Sequence, residues 1–437
     1  MWANESVFYQ IYPLGFCGAP YENDGQLQPR ILKVLDWIDH IKHLGANAIY
    51  FSPVFESDTQ GYNTRDYQMI DRRLGTNEDF GRVCQALHKE GIKVVLDGVF
   101  NHAGRGFFAF QDVLKNRESS RYVGWFSRID FGGNSPYNDG LWYEGWEGNY
   151  DLVKLNLRNE EVIQYLFDSI KKWIDEFEID GLRLDVAYCL DHDFVRRLRG
   201  FCDSCKKDFF LVGEMLHGDY NQMVNDGMLH SCTNYECYKG LFSSFNSMNM
   251  FEINHSLLRQ FGPENWTLYK GKHLLCFVDN HDVSRISSIL SNEAHLPLIY
   301  GMLFGMPGIP CIYYGSEWGA KGDKSQGDPS LRLSYDKPEW NALTDLIAKL
   351  AQIKKESRAL NYGNFRSVLL TNEQCIFERK TDEERVLVAI NASGNPFTAH
   401  FDAGCGTALE LISGQTHDFG GGSELKPYSV AFWKMEC

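Results

Sequence analysis

Four short segments of this chain carry acidic side chains in settings that could do chemistry. In order they are Asp97-Gly-Val-Phe-Asn101-His102, Gly181-Leu-Arg183-Leu-Asp185, Gly213-Glu214 and Phe277-Val-Asp279-Asn280-His281-Asp282. One carboxylate able to attack an acetal carbon, a second able to protonate a leaving oxygen, and further polar groups able to grip ring hydroxyls are what cleavage of a glycosidic bond requires. A single Asp at the end of a strand is usually a cap or a loop residue, so the argument rests on the set.

These segments need a frame that brings them together. Short apolar stretches at 7–12, 46–51, 92–97, 179–186, 209–213, 274–278 and 309–314 read as strands, with a weaker candidate at 228–233. Helical patterns separate them. Pro29 opens one whose apolar residues Ile31, Val34, Leu35, Ile38, Ile41 and Leu44 follow three-to-four spacing, with Gly45 as its stop. Another runs from about Glu160 to Phe177, with Asn159 as its cap. Eight strands alternating with helices imply an α/β fold, a (β/α)8 TIM barrel whose active site lies at the carboxyl ends of the strands. All four acidic segments fall at such ends. Alternation along the fourth strand sends Arg183 and Asp185 to one face and Leu182, Leu184 and Val186 to the other, against the outer helices.

The rhythm breaks twice. Residues 102–152 are rich in Gly, Asn and aromatics, including Trp125, Trp142 and Trp146, and read as an inserted loop domain after the third strand. Those tryptophans are expected to pack rather than to bind. Residues 361–437 show short strands separated by turn signals, a C-terminal β-sandwich, leaving 1–101 and 153–360 to the barrel. Gly420-Gly-Gly-Ser423 lacks the Lys and the strand-to-helix setting of a phosphate cradle and reads as a turn.

Composition narrows the function classes. A net charge of -15 disfavours nucleic acid and suits a neutral ligand. The start Met1-Trp-Ala-Asn-Glu-Ser has no basic-then-apolar leader, no stretch reaches membrane-spanning length, and twelve scattered Cys fit reduced thiols. A cytoplasmic protein without membrane partners is expected. Cys202-Asp-Ser-Cys205 has redox-like spacing but no second pair, and is read as ordinary thiols.

The four segments, together with Tyr9-Gln-Ile-Tyr-Pro13, Gly45-Ala-Asn-Ala-Ile-Tyr-Phe-Ser-Pro53 and Ile312-Tyr-Tyr-Gly315, resemble the α-amylase family, glycoside hydrolase family 13. The resemblance covers nearly the whole barrel. It implies a retaining mechanism on α-glucans such as maltooligosaccharides or cyclodextrins, with Asp185 as nucleophile, Glu214 as general acid and base, and Asp282 as stabiliser. Arg183 would hold Asp185 ionised, His102 and His281 would bind hydroxyls at the cleavage point, and Asp97 would support the network beneath. Tyr62 looks like the stacking aromatic at that sugar. Asp328-Pro-Ser-Leu-Arg332 resembles the segment holding the next sugar on the non-reducing side, and His217 divides evenly between a substrate contact and a structural bond. No cofactor is required by this chemistry.

Leu152-Val-Lys154-Leu-Asn156 is similar to a segment of neopullulanases, cyclomaltodextrinases and maltogenic amylases. Many secreted α-amylases place a calcium-binding Asp where this chain has Lys154. An ammonium offers donors only, so calcium is not expected at that site, although Asn101 matches the family's other ligand. The chain departs from that group at Tyr188, Cys189 and Leu216, on the leaving-group side, and lacks the amino-terminal β domain through which those enzymes dimerise. Bond type, α-1,4 or α-1,6, the acceptor, water or sugar, and the oligomeric state stay open. A non-catalytic amylase-like partner protein would lack the carboxylates and carry a membrane segment, and this sequence shows the reverse.

Overall fold

The computed structural model describes residues 1–436. Eight strands form one sheet: β1 (Phe8–Ile11), β2 (Ala48–Phe51), β3 (Lys93–Gly98), β4 (Gly181–Leu184), β5 (Phe210–Gly213), β6 (Ser231–Cys232), β7 (Leu275–Phe277) and β8 (Ile309–Tyr313). Their spatial order is β6-β5-β4-β3-β2-β1-β8-β7, every neighbouring pair is parallel, and a bridge between Thr233 and Leu275 brings the two ends together. The weak candidate at 228–233 is the shortest strand, two residues long.

Side-chain alternation sorts each strand into two environments. Phe8, Tyr50, Val95, Phe210, Val212 and Phe277 fill the barrel interior, whereas Tyr9, Ile49, Val94, Leu96, Leu182, Leu184 and Leu211 meet the helices. Nearer the carboxyl ends, the inward positions become Gln10, Asp97 and Arg183, all buried. The apolar plug therefore carries a polar floor on top.

The segment after Pro29 departs from the expected single α-helix. Residues Arg30–Trp37 form a 3-10 helix, and α-geometry begins only at Ile38. The buried residues Ile31, Val34 and Trp37 recur every third position, which is the 3-10 repeat, while Leu35 is only half-buried. The helix Glu160–Phe177 matches its reading, and the Asn159 side chain accepts from the Glu161 and Val162 amides.

Past β3 the chain makes a three-stranded antiparallel sheet from His102–Gly104, Gly145–Trp146 and Asn149–Lys154. Beyond the barrel, a six-stranded antiparallel sheet includes Asn364–Leu370, Glu384–Asn391 and Ser429–Glu436. A ribbon of Phe397–Ala399 with Ser423–Leu425 is buried together with Leu387, Ala389 and Trp433 of that sheet. Its packing on the barrel is close: a Cβ at Gly301 would lie 2.6 Å from Val430, and one at Gly305 3.0 Å from Val388. Gly420 and Gly421 form the turn read from the sequence.

A hairpin of Phe55–Ser57 and Thr64–Ile70 follows β2, and its tip carries Tyr62 over the barrel mouth. Arg73, fully buried, fastens this region. It donates from Nε and Nη2 to Asp71 (2.8 and 2.6 Å), from Nη2 to Ser57 Oγ, and from Nη1 to the carbonyls of Pro20, Tyr21 and Thr59. Arg73→Leu strands a buried Asp71 carboxylate and is expected to lower stability by roughly 3–5 kcal/mol, read as an earlier unfolding midpoint in urea. An unchanged midpoint would mean that the pair contributes nothing net.

Candidate active site

The carboxyl ends of β3, β4, β5 and β7 meet beneath a cleft of about 530 Å³. Asp185, Glu214, Asp282, Tyr62, His102, Asp328 and Arg332 line it, while Asp97, Arg183 and His281 lie buried below. Arg183 is the hub. Its Nη1 donates to Asp185 Oδ1 at 2.7 Å and to both oxygens of Asp97 at 3.0 Å, and its Nη2 lies 3.0 Å from Glu214 Oε1. Three carboxylates from three strands thus share one guanidinium whose side chain is 3% exposed.

That ratio governs the protonation of the site. Burial raises Asp185 and Glu214 above the usual carboxylate range; Arg183 opposes the rise, and the neighbouring acids add to it. Arg183 alone therefore does not hold Asp185 ionised, as the sequence led one to expect. The two acids titrate as a pair that retains a proton in the range where an isolated carboxyl has lost it. Asp282 behaves differently. Burial works against its charge, but His281, Arg332 and Arg183 outweigh it and hold the carboxyl below the ordinary range. Arg332 Nη2 reaches Asp282 Oδ1 at 3.1 Å, and His281 Nε2 lies 3.0 Å from Oδ2.

Both imidazoles are neutral, since burial depresses each to about 3. The Asp282–His281 contact is accordingly with a neutral ring whose Nε2 bonds the Tyr62 hydroxyl, and Arg332 supplies the nearest charge. Hydrogen bonding fixes the tautomers. The Gln10 amide donates to His281 Nδ1 (2.8 Å), leaving Nε2–H to point at Asp282 and the Tyr62 hydroxyl, which in turn donates to Asp97 Oδ2 (3.2 Å). The Asn101 amide donates to His102 Nδ1 (3.2 Å), so Nε2 carries the proton. It has no hydrogen-bond partner among the described residues and sits 3.8 Å from Asp185 Oδ2. A buried donor left open at the cleft is a place for a substrate hydroxyl.

Val186 overturns the parity reading. The strand ends at Leu184, and Val186 adopts φ 40°, ψ 47°, a left-handed conformation that a β-branched residue rarely takes. This turn places Val186 in the cleft wall and sends its N–H to Glu214 Oε2 at 2.9 Å. His217 is exposed and outside the cleft, its ring 5.5 Å from that of Tyr188. Trp125 and Trp142 pack as expected, donating to Glu161 and Tyr150, but Trp146 lines the cleft.

Several contributors carried no assigned role in the sequence reading. Gln10 sits inward on β1 by the same alternation as Arg183, and that parity was the available signal. Tyr12 stacks on His281 with centroids 5.9 Å apart and lies under the Arg332 guanidinium. Asn280 accepts from the Asp282 N–H at 2.8 Å, forming the local turn that aims Asp282. Tyr188, Leu216, Tyr235 and Val283 line the cleft, Lys324 pairs with Asp328, and Asp328 is 3.0 Å from Arg332.

At the calcium position the donors are committed elsewhere. Lys154 Nζ lies 2.8 Å from Glu144 Oε1, the Asn101 amide faces His102, and the Asn101 carbonyl accepts from Leu155. An ammonium in that place has no lone pair to offer a cation. The described cysteines, Cys202 and Cys205 included, are free thiols, and no described helix is long and apolar enough to cross a membrane.

Comparison with known proteins agrees with this geometry. The family profile for the alpha-amylase catalytic domain matches residues 10–337. A cyclomaltodextrinase of Thermoanaerobacter pseudethanolicus is 31% identical over 426 residues, covering 90% of this chain and 71% of its own. Neopullulanase 2 of Thermoactinomyces vulgaris is 32% identical over 447 residues, covering 95% and 74%. Among solved structures, the cyclic alpha-maltosyl-(1-->6)-maltose hydrolase of Arthrobacter globiformis superposes with a TM-score of 0.83 at 28% identity, over 99% of both chains. The chain is a glycoside hydrolase and belongs to the α-amylase family.

Proposed function

We propose that this enzyme is a retaining α-glucan hydrolase that cleaves α-1,4 bonds of maltooligosaccharides, cyclodextrins or both. The observation that carries the reading is the sharing of Arg183 by Asp97, Asp185 and Glu214 beneath a cleft that offers the neutral imidazole donor of His102. We assign the shared proton to Glu214, although burial raises Asp185 the more strongly of the two. The shorter Arg183 contact, 2.7 Å at Asp185 against 3.0 Å at Glu214, favours leaving the negative charge on Asp185.

In the first step Glu214 protonates the glycosidic oxygen as Asp185 attacks the anomeric carbon. The C–O bond to the leaving sugar breaks, and a glycosyl ester forms on Asp185. Asp185 Oδ2, free of Arg183, is the oxygen available for attack. In the second step the Glu214 carboxylate takes a proton from water, the hydroxyl adds to the same carbon, and Asp185 leaves. Two displacements return the α-configuration. Positive charge develops on the sugar during both, and the ionised Asp282 at the cleft wall opposes it. His102 binds a hydroxyl of that sugar as a donor, His281 supports Tyr62 and Asp282 from below, Tyr62 stacks on the sugar, and Asp328 with Arg332 holds the next unit.

The names of the relatives support small linear or cyclic α-glucans. A structural neighbour that hydrolyses a cyclic (1-->6)-linked maltose supports a second reading, α-1,6 cleavage or transfer on the same machinery. Products from maltoheptaose, pullulan and isomaltose separate the two. An intracellular maltogenic amylase of Bacillus subtilis among the relatives supports a cytoplasmic site of action. His217 we assign to packing rather than to substrate.

Three outcomes follow from this chemistry. Asp185→Asn and Glu214→Gln should each fold while losing at least about 10²–10⁴ in kcat on maltotriose, and NMR of wild-type products should show α-anomers first; early β-anomers would contradict the nucleophile. Because His102 stays neutral down to about pH 3, His102→Asn should lower kcat without moving either limb of the pH–rate profile. A displaced limb would mean that the imidazole titrates in the working range. Activity should also survive EDTA, because Lys154 occupies the calcium position; a loss restored by added calcium would refute that assignment.

A further inference from the structure

Arg285 follows Asp282 by three residues and is fully buried. Its donors go to main-chain carbonyls and one hydroxyl rather than to a carboxylate. Nη1 donates to the Tyr314 carbonyl at 2.6 Å and to Ser316 Oγ at 3.0 Å, and Nη2 donates to the Leu331 carbonyl at 3.0 Å. Its own N–H donates to the Gly322 carbonyl at 2.8 Å. The guanidinium lies over the ring of Tyr313, 4.3 Å from its centroid, and the Tyr313 hydroxyl also donates to the Leu331 carbonyl at 3.0 Å.

Every one of those acceptors belongs to β8 or to the loop that leaves it. That loop carries Lys324, Asp328 and Arg332 into the cleft wall. Leu331 immediately precedes Arg332, whose guanidinium spans Asp282 and Asp328 and whose Nε donates to the His281 carbonyl at 3.1 Å. The chain also closes tightly on Arg285. A Cβ at Gly315 would come within 3.2 Å of its Nη1, and one at Gly322 within 3.2 Å of its Cγ. The Asp279 carboxylate is reached through Ser316, whose hydroxyl accepts from Arg285 and donates to Asp279 Oδ2 at 2.8 Å, and a buried charge without a direct ion pair is a poor stabiliser of a fold, because its desolvation is repaid chiefly through hydrogen bonds. Here those bonds tie the loop after β8 to the segment after β7.

We infer that Arg285 is a positioning residue for specificity: it sets the place of Asp328 and Arg332, and through them the grip on the glucosyl unit to the non-reducing side of the bond being cleaved. The inference rests on the hydrolase reading above. It concerns only the sugar beyond the cleavage point, so the two can fail separately. A Lys ammonium keeps the charge but cannot reach the Tyr314 and Leu331 carbonyls from one rigid plane. Loss of the Tyr313 hydroxyl removes one of the two donors at Leu331 and leaves the guanidinium in place.

The test uses two chromogenic substrates with the same leaving group, p-nitrophenyl α-glucoside and p-nitrophenyl α-maltoside, which differ by one unit on the non-reducing side. In Arg285→Lys the ratio of kcat/KM for maltoside over glucoside should fall by roughly tenfold, chiefly through KM for the maltoside. Tyr313→Phe should move the ratio the same way by less, and covers the case in which the lysine variant does not fold. Parallel losses on both substrates, or an unchanged ratio in both folded variants, would overturn the inference. Wild-type failure on both substrates and on maltotriose would overturn the α-1,4 hydrolase reading, and this inference with it.

Discussion

One guanidinium facing three carboxylates is the constraint around which the rest of the site is arranged. Arg183 cannot satisfy Asp97, Asp185 and Glu214 as three full charges in a buried setting, so the arrangement keeps a proton among them. Acid catalysis by a carboxyl near neutral pH needs such a proton. Asp97 is shielded by the Tyr50 and Tyr62 hydroxyls and lies off the cleft, which leaves Asp185 and Glu214 as the two of the three that line it.

The surrounding groups keep that pair from being diluted by other titrations. His102 and His281 stay neutral through burial, and their tautomers are fixed by Asn101 and Gln10, so His102 presents an open N–H toward the cleft while the N–H of His281 is taken up below it by the Tyr62 hydroxyl. Asp282 takes the opposite course and stays charged beside Arg332. Acidic groups on one barrel face thereby acquire different roles from their neighbours alone. The strained backbone at Val186 serves the same arrangement, since its N–H holds Glu214 against the strand that carries Asp185.

Much of this was legible in the sequence, and the reasons for the exceptions are physical. Strands reveal themselves by alternation, so the eight strands, the polar floor at Asp97 and Arg183, and the Asn159 cap could be read locally. The 3-10 segment at 30–37 could not, because Ile31, Val34 and Trp37 fit both helical repeats and tertiary packing chose between them. Val186 escaped because parity holds only while the strand continues, and this one stops two residues earlier. Tyr62, Asp328 and Arg332 sit on loops whose reach no periodicity encodes, and their place came from resemblance. Gln10 was available to the parity argument, whereas the contribution of Tyr12 depends on a contact across 320 residues of chain and that of Arg285 on contacts 29 to 46 residues away through an irregular loop. His217 lies close to Glu214 in sequence but turns outward with the loop.

The central claim is that Asp185 forms the covalent bond to sugar while Glu214 supplies and removes the proton. Mass spectrometry of the Glu214→Gln variant fed α-maltosyl fluoride tests it most directly, since fluoride leaves without protonation and the ester then lacks its base for hydrolysis. The account predicts a maltosyl adduct that accumulates and maps to the peptide containing Asp185. An adduct on any other carboxylate, or fast turnover to β-maltose with none, would contradict it.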